Sequence, residues 1–315
     1  MWNVDVNGLV RRADALERGL TDADIKQALR CGELISACRG LYAPTSSLPE
    51  EGWRRAQELY RRRCLAAGRR DDDAAAGRRD GGAAPLSHQS AAALHGLEML
   101  KPDLTRVHVG VARDSSGKCR ATRHIHPGLD ERDVVDLAGI AVTRIECAAV
   151  EVAVTSDFAG ALAVFDSALR MGVPRASLEE ALNSRQRRGS VRARQALRLA
   201  EAGAANPGES WSRAQMIQAG LPIPLLQQAV DVEGHRYYSD FEWARRLIGE
   251  FDGEGKYLSH RRLGESVADA VLREKERENR LRDMGFDVVR WDWSVLERRG
   301  VVARVGPRLE AAGLV

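Results

Sequence analysis

From residue 226 onward the chain reads as three short apolar runs separated by turns, a pattern that leaves it few ways to fold. Residues 226–232, 236–243 and 247–251 each suit a strand; Glu233-Gly234 separates the first two, and a turn near Arg245 separates the last two. A charged helical pattern over residues 265–284 then leads through Gly285 into a further strand at 288–293. A sheet with flanking helices is the packing this order predicts. If the hairpin turn centres on Arg245, Asp240 lies opposite Glu250, and the two-residue strand period puts Asp252 on the face of Glu250. Like charges so placed repel, and a divalent cation relieves the repulsion; hard carboxylate oxygens suit Mg²⁺ or Mn²⁺. Such an ion polarises a phosphodiester and lowers the pKa of a bound water, while Lys256 offers a positive charge to the attacking water or developing phosphorane. Glu209, on a helix expected over residues 209–219, would complete the acid set. The competing reading is an amphipathic hairpin with solvent-facing carboxylates, ended by Gly253; Phe241, Trp243, Ile248 and Phe251 around the acids favour a packed hairpin.

A chain of 315 residues suggests two or three domains. Residues 6–43 form a unit of short helices and a hairpin. One helix is expected over residues 7–17, ended by Gly19; Thr21 with Asp24 three positions on caps a second helix that stops at Gly32. Leu34, Ile35, Leu41 and Tyr42 flank Arg39-Gly40, as two short strands around a turn would. Helix, turn, helix and wing is the arrangement of a small DNA reader, with Lys26, Gln27 and Arg30 on or near one exposed helix face and Arg39 projecting toward phosphate. The alternative is a small helical docking domain. A helix follows from Trp53, then a Gly- and charge-rich stretch at 68–84 expected to be a loop. Residues 87–97 read as a helix, 106–111 and 140–145 as strands, and 147–154 and 157–171 as helices. Asn206-Pro207-Gly208 is a breaker cluster suited to a domain boundary.

Charge is informative only locally, because 48 Lys and Arg against 45 Asp and Glu leave a net charge of +3. Residues 184–198 contain six Arg and no acid, and Arg187, Arg188 and Arg192 make this the clearest basic segment. No apolar run approaches the roughly 18 residues needed to cross a bilayer and the start lacks a leader pattern, so a cytoplasmic location without membrane association is the expectation. Five cysteines, none in a C-x-x-C pair, read as reduced thiols. His124-x-His126 could ligate a metal from one strand but shows no third ligand nearby in sequence. His88 and His95 read as a cap neighbour and a packed side chain. Asp166, inside an apolar helix, is expected to face solvent or cap a neighbour, and the run of Glu274, Lys275, Arg277 and Glu278 to form an exposed helix side. Neither G-x-G-x-x-G nor a P-loop is present.

Two resemblances extend this reading. Asp240-Phe, Glu250-Phe-Asp-Gly, Lys256-Tyr and the segment from Glu274 to Trp291 resemble the very-short-patch-repair-like branch of the PD-(D/E)xK nucleases, over roughly residues 208–296. That resemblance implies Asp240 and Glu250 as metal ligands, Asp252 as an accessory acid and Glu209 as the first-helix acid. Lys256 stands where many relatives carry His, and Asp252 occupies the position two after Glu250, so the usual E-x-K spacing is absent. At the front, Gly19-Leu-Thr-Asp-Ala-Asp-Ile, Gly32-Glu-Leu-Ile and Arg39-Gly-Leu-Tyr-Ala are similar to the winged helix of AbiEi-family antitoxins, and Leu86-Ser-His-Gln-Ser-Ala-Ala-Ala-Leu-His-Gly-Leu to the segment after it. This implies a DNA-binding autorepressor partnered with a nucleotidyltransferase-like toxin. The expected fold class is α/β and multi-domain: a winged helix-turn-helix at 1–45, a helical region with a small sheet at 46–205, and a restriction-endonuclease-like mixed sheet flanked by helices at 206–315. The expected function is binding of double-stranded DNA coupled to Mg²⁺-dependent cleavage. Two alternatives stand beside it: an antitoxin and repressor whose nuclease fold does not turn over, and a toxin-binding adaptor that never touches DNA.

Overall fold

The computed structural model describes residues 2–50, 52–68, 84–113, 116–232, 235–253 and 267–315. Lys256, the turn expected at Glu233-Gly234 and most of the stretch at 68–84 lie outside the described residues. The fold is mixed α/β, and the chain divides into two compact units, Met1–Leu97 with Pro102–Val152 and Glu98–Lys101 with Ala153–Val315. The breaks expected after residues 45 and 205 do not coincide with that division.

The first unit opens with β1 (Val10–Arg11), α1 (Arg12–Glu17), α2 (Asp22–Arg30), β2 (Leu34–Cys38) and β3 (Leu41–Pro44). These strands make an antiparallel sheet in the order β1-β3-β2. The helix expected from residue 7 starts only at Arg12. The Asp5 carboxylate accepts from the backbone N–H of Asn7 and Leu9, and Gly8 adopts φ +72°, so the chain turns and pairs as β1 first. α2 starts on a complete capping box: the Thr21 hydroxyl accepts from Asp24 N–H at 3.2 Å, and the Asp24 carboxylate accepts from Thr21 N–H at 2.7 Å. Ile25 and Ala28 are buried against Val10, Ala15 and Leu34, which turns the polar face of α2 outward. α3 (Gly52–Gly68) holds this subunit of structure through Arg62, whose guanidinium donates to the Gly8 and Ser47 carbonyls at 2.9 and 2.7 Å.

α4 (His88–His95), β4 (Val107–Val111), β5 (Lys118–Cys119), β6 (Arg123–Pro127), β7 (Val134–Leu137), β8 (Ile140–Thr143) and α5 (Ile145–Thr155) follow. β4 lies between no two strands of its sheet: the order is β4-β6-β5, with β4 and β6 parallel and β6 and β5 antiparallel. β7 and β8 form a hairpin, and Leu86 bridges both β4 and β8 by pairing with Val109 and Val142. Tyr60, Cys64, Leu86, Val107, Val109, Ile140 and Val142 form the core beneath.

In the second unit α6 (Phe158–Arg170), α7 (Arg175–Asn183), α8 (Ser190–Leu199) and α9 (Pro207–Gln218) precede β9 (Leu225–Val232), β10 (His235–Trp243) and β11 (Leu247–Asp252). α10 (Val267–Asp283), β12 (Asp287–Asp292), α11 (Trp293–Glu297) and α12 (Val301–Ala311) complete the chain. The sheet order is β12-β11-β10-β9, antiparallel except for the parallel β11–β12 pair. One of its cores gathers Met216, Phe241, Trp243, Phe251, Trp291 and Leu309; the other gathers Val230, Ile248, Leu281, Phe286 and Val288. Asp166 was expected to face solvent or cap a neighbour, and the first of these is corrected. It is fully buried and accepts from Ser210 Oγ, Arg213 Nη1 and Glu201 N–H at 2.7–3.0 Å. α6 is buried nearly all round, so no face was left for a solvated acid.

Candidate nucleic-acid interface and acidic cluster

Lys26, Gln27 and Arg30 are all exposed on α2, opposite the buried Ile25 and Ala28, and Arg39 is exposed at the β2–β3 turn, where Gly40 adopts φ +77°. The acids beside them have partners. Asp22 takes a bidentate hydrogen bond from Arg12 at 2.6 and 2.7 Å, which holds its carboxyl below the usual range, and Asp24 is occupied by the Thr21 cap. Arg30 Nη2 donates to the Gln27 side-chain carbonyl at 2.8 Å, fixing those two side chains relative to each other. The surface therefore offers cations and an amide on one helix face beside a hairpin.

The second basic segment follows the end of α7 and covers α8 up to its penultimate residue. Arg188 and Arg192 are exposed, whereas Arg187 is half-buried and donates to the Ala181 carbonyl at 3.2 Å, so it also holds the α7 C-terminus. An open groove of about 700 Å³ is lined by Phe158, Gln186, Arg187, Arg192, Arg194 and Gln218. Gly189 is the residue that lets α8 begin here: it adopts φ +90°, and a Cβ at that position would lie 2.0 Å from the Val154 carbonyl oxygen.

The acids occupy the second unit's sheet. The pairs Phe241↔Gly249, Glu242↔Ile248 and Trp243↔Leu247 set the register, so Asp240 and Glu250 each lie one residue beyond the last pair, at the same end of the ladder. Each acid nevertheless has partners in the protein. Glu250 is 1% exposed and accepts from Arg277 Nη2 of α10 at 2.8 Å; the same nitrogen donates to the Tyr238 carbonyl. The Asp240 carboxylate accepts the Phe251 N–H at 2.8 Å. Asp252 meets Arg290 of β12 at 3.4 Å. Glu209 is 3% exposed and accepts from Ala205 N–H and Asn206 Nδ2, both at 2.7 Å, in the first turn of α9. It also meets Gln227 Nε2 of β9 at 3.3 Å, so it ties helix to sheet. Among the described residues these acids do not bring three ligand atoms together.

Arg277 was missed as a site residue. Its side chain is only 14% exposed and crosses from α10 to the sheet, which corrects the expectation that its run is simply an exposed helix side. Glu278 pairs one turn further on with Arg282, at 2.6 Å.

This arrangement belongs to a chain with a recognisable middle. Residues 83–199 match the AbiEi antitoxin C-terminal domain family, a span that runs from the entry to α4 through the last residue of α8. It takes in the segment 86–97 and ends before residue 208, where the nuclease resemblance starts. Two proteins of Mycobacterium tuberculosis, the uncharacterized protein MT2308 of strain CDC 1551 / Oshkosh and the uncharacterized protein Rv2248 of strain ATCC 25618 / H37Rv, are each 34% identical over 157 residues. The matched stretch is 49% of this chain and 55% of each relative, so the chain spans about half the length of the curated relatives it matches. Among the described residues no helix is long and apolar enough to cross a membrane.

Proposed function

We propose that the chain is a DNA-binding regulator of the antitoxin type, which binds double-stranded DNA through α2 and the β2–β3 wing and counters a nucleotidyltransferase-like toxin through its antitoxin-family segment. The match of residues 83–199 to the AbiEi antitoxin C-terminal domain carries this reading. The order β1, α1, α2, β2, β3 ahead of that segment supports it, because a helix pair with a hairpin beside it is how a winged helix presents one helix to the major groove. The test is binding of the full chain to the duplex upstream of its own gene, beside growth rescue when it is co-expressed with the toxin-like product of a neighbouring gene. Absence of both binding and rescue would overturn the proposal; rescue without binding would favour an adaptor that does not touch DNA.

A second reading, metal-dependent DNA cleavage, draws on Asp240 and Glu250 at the same end of one strand ladder, in a unit ordered helix, three strands, helix, strand. In that reading Asp240, Glu250 and Asp252 would hold Mg²⁺ or Mn²⁺, which would supply an acidified water, and Lys256 would steady the phosphorane. Arg277 argues against it, since its guanidinium occupies the Glu250 carboxylate an ion would need. Incubation of plasmid DNA with Mg²⁺, Mn²⁺ or chelator decides between them: the antitoxin reading expects no cutting, and cutting that disappears in Asp240→Asn and Glu250→Gln would establish the nuclease.

A further inference from the structure

Three histidines that are far apart in sequence converge in the first unit. β4 and β6 run parallel with His108 directly across from His124, and His126 follows two residues on, on the same face of β6. One ligand nitrogen from each of His108, His124 and His126 lies within 4.8 Å of the others, and His108 Nδ1 stands 2.9 Å from His126 Nε2. His108 is 8% exposed and the other two are partly buried. A fourth ring, His88 at the start of α4, stacks on His126 with centroids 3.6 Å apart, and its Nδ1 lies 3.6 Å from the Glu151 carboxylate.

Packed imidazoles of this kind cannot all carry protons. Burial and the neighbouring rings disfavour the charged forms of His108 and His126. A tetrahedral ion with nitrogen ligands at about 2.0–2.1 Å separates those ligands by roughly 3.3 Å, which lies between the closest approach and the outer spread of this trio. Imidazole nitrogen suits zinc-class ions and not hard Mg²⁺. A shared proton between two rings is the alternative use of the same geometry, but it engages two of the three nitrogens and leaves His124 without a purpose in the cluster.

We propose that His108, His124 and His126 form a binding site for one divalent transition-metal ion of the zinc class, with a fourth coordination position open to water or another ligand. The ion would pin β4 to β6 inside the segment that matches the antitoxin family, with His88 and Glu151 as the supporting wall. The site is independent of the acids on the second unit's sheet. Cys119 pairs in register with His124 from β5 but stands outside the trio, which makes it a useful control.

The experiment is Zn²⁺ binding to tag-free, chelator-stripped full-length protein, read by metal content after desalting and by competition with a chromophoric chelator. Co²⁺ substitution gives an independent absorption signature of nitrogen coordination. One equivalent is expected, unaffected by excess Mg²⁺. His124→Gln and His126→Gln should each weaken binding by about 100-fold or more while circular dichroism shows an intact fold, and Cys119→Ser should leave binding unchanged. Less than about a tenth of an equivalent in the wild type, equal affinity in both histidine variants, displacement by Mg²⁺, or loss in Cys119→Ser alone would each overturn the assignment.

Discussion

Thr21 and Asp24 satisfy two backbone donors that α2 would otherwise leave open, and this capping box was readable from the spacing of two residues. Thr21→Ala is expected to lower stability by about 1 kcal/mol, seen as a lower urea midpoint with an unchanged slope. Glu250 and Arg277 could not be paired from sequence, because nothing local to either residue reveals that α10 crosses the strand bearing the acid. Arg277→Met should cost roughly 3 kcal/mol by depriving a buried carboxylate of its cation, and the double variant with Glu250→Gln should recover most of that loss. A double variant as unstable as the single one would show that the pair matters through packing instead. The cysteines separate by environment. Burial pushes Cys64 up to about 11 and Cys147 up to about 12, whereas Cys31 and Cys119 are exposed. A thiol raised in the folded state favours folding below its ordinary pKa and loses that contribution as pH rises through the folded value, so alkaline conditions destabilise the first unit. At pH 8 iodoacetamide should modify Cys31 and Cys119 and spare Cys64 and Cys147 until denaturant is added; early labelling of Cys64 would mean that its core opens readily.

At the scale of elements, the sequence was most legible where period and punctuation agreed. The strands and turn around Arg245 follow from alternating residues, and α6 runs from its Asp157 cap to Arg170. β5 was invisible because two residues are too short for a period to register, β7 because Val134, Val135, Asp136 and Leu137 do not alternate, and β1 because a local Asp5 turn overrides the helical pattern. The pairing of β6 with β4 hid for a different reason: parallel partners are distant in sequence. That is also why His124-x-His126 lacked a visible third ligand. Glycines at two contacts show how close these elements pack. A Cβ at Gly208 would sit 2.2 Å from the Phe251 ring, and one at Gly189 would strike the Val154 carbonyl at 2.0 Å from a left-handed backbone. Gly189→Ala should therefore destabilise the second unit by more than about 2 kcal/mol, whereas Gly172→Ala, also at positive φ but with nothing within 4 Å, should cost only about 1 kcal/mol of backbone strain. Thermal melts of the two variants make the comparison; equal losses would mean that strain outweighs the clash.

For the whole molecule the near-zero charge balance conceals where the cations stand. Of 48 Lys and Arg, many are committed to internal work: Arg62 to the N-terminal turns, Arg213 to Asp166, Arg277 to Glu250. Composition therefore cannot say which basic groups are available to a polyanion. Lys26, Arg30 and Arg39 are exposed around α2 and the β2–β3 turn, and Arg188 and Arg192 on the other basic segment. If the proposed reader contacts DNA through the first set, each lost phosphate contact removes about one released counterion, so the triple alanine variant should flatten the slope of log K against log salt by up to roughly three. Because those contacts also orient α2 on its site, the same variant should lose preference for its own operator over random duplex. Charge reversal at Arg188 and Arg192 acts differently, since no aromatic residue lies in 184–198 on which a base could stack. It should weaken operator and random duplexes by the same factor and leave their ratio intact. Fluorescence anisotropy over a salt series with both duplexes measures all of these quantities. An unchanged slope in the triple variant would remove α2 and the wing from the interface, and a ratio altered by the arginine reversals would make the second segment the reader of sequence.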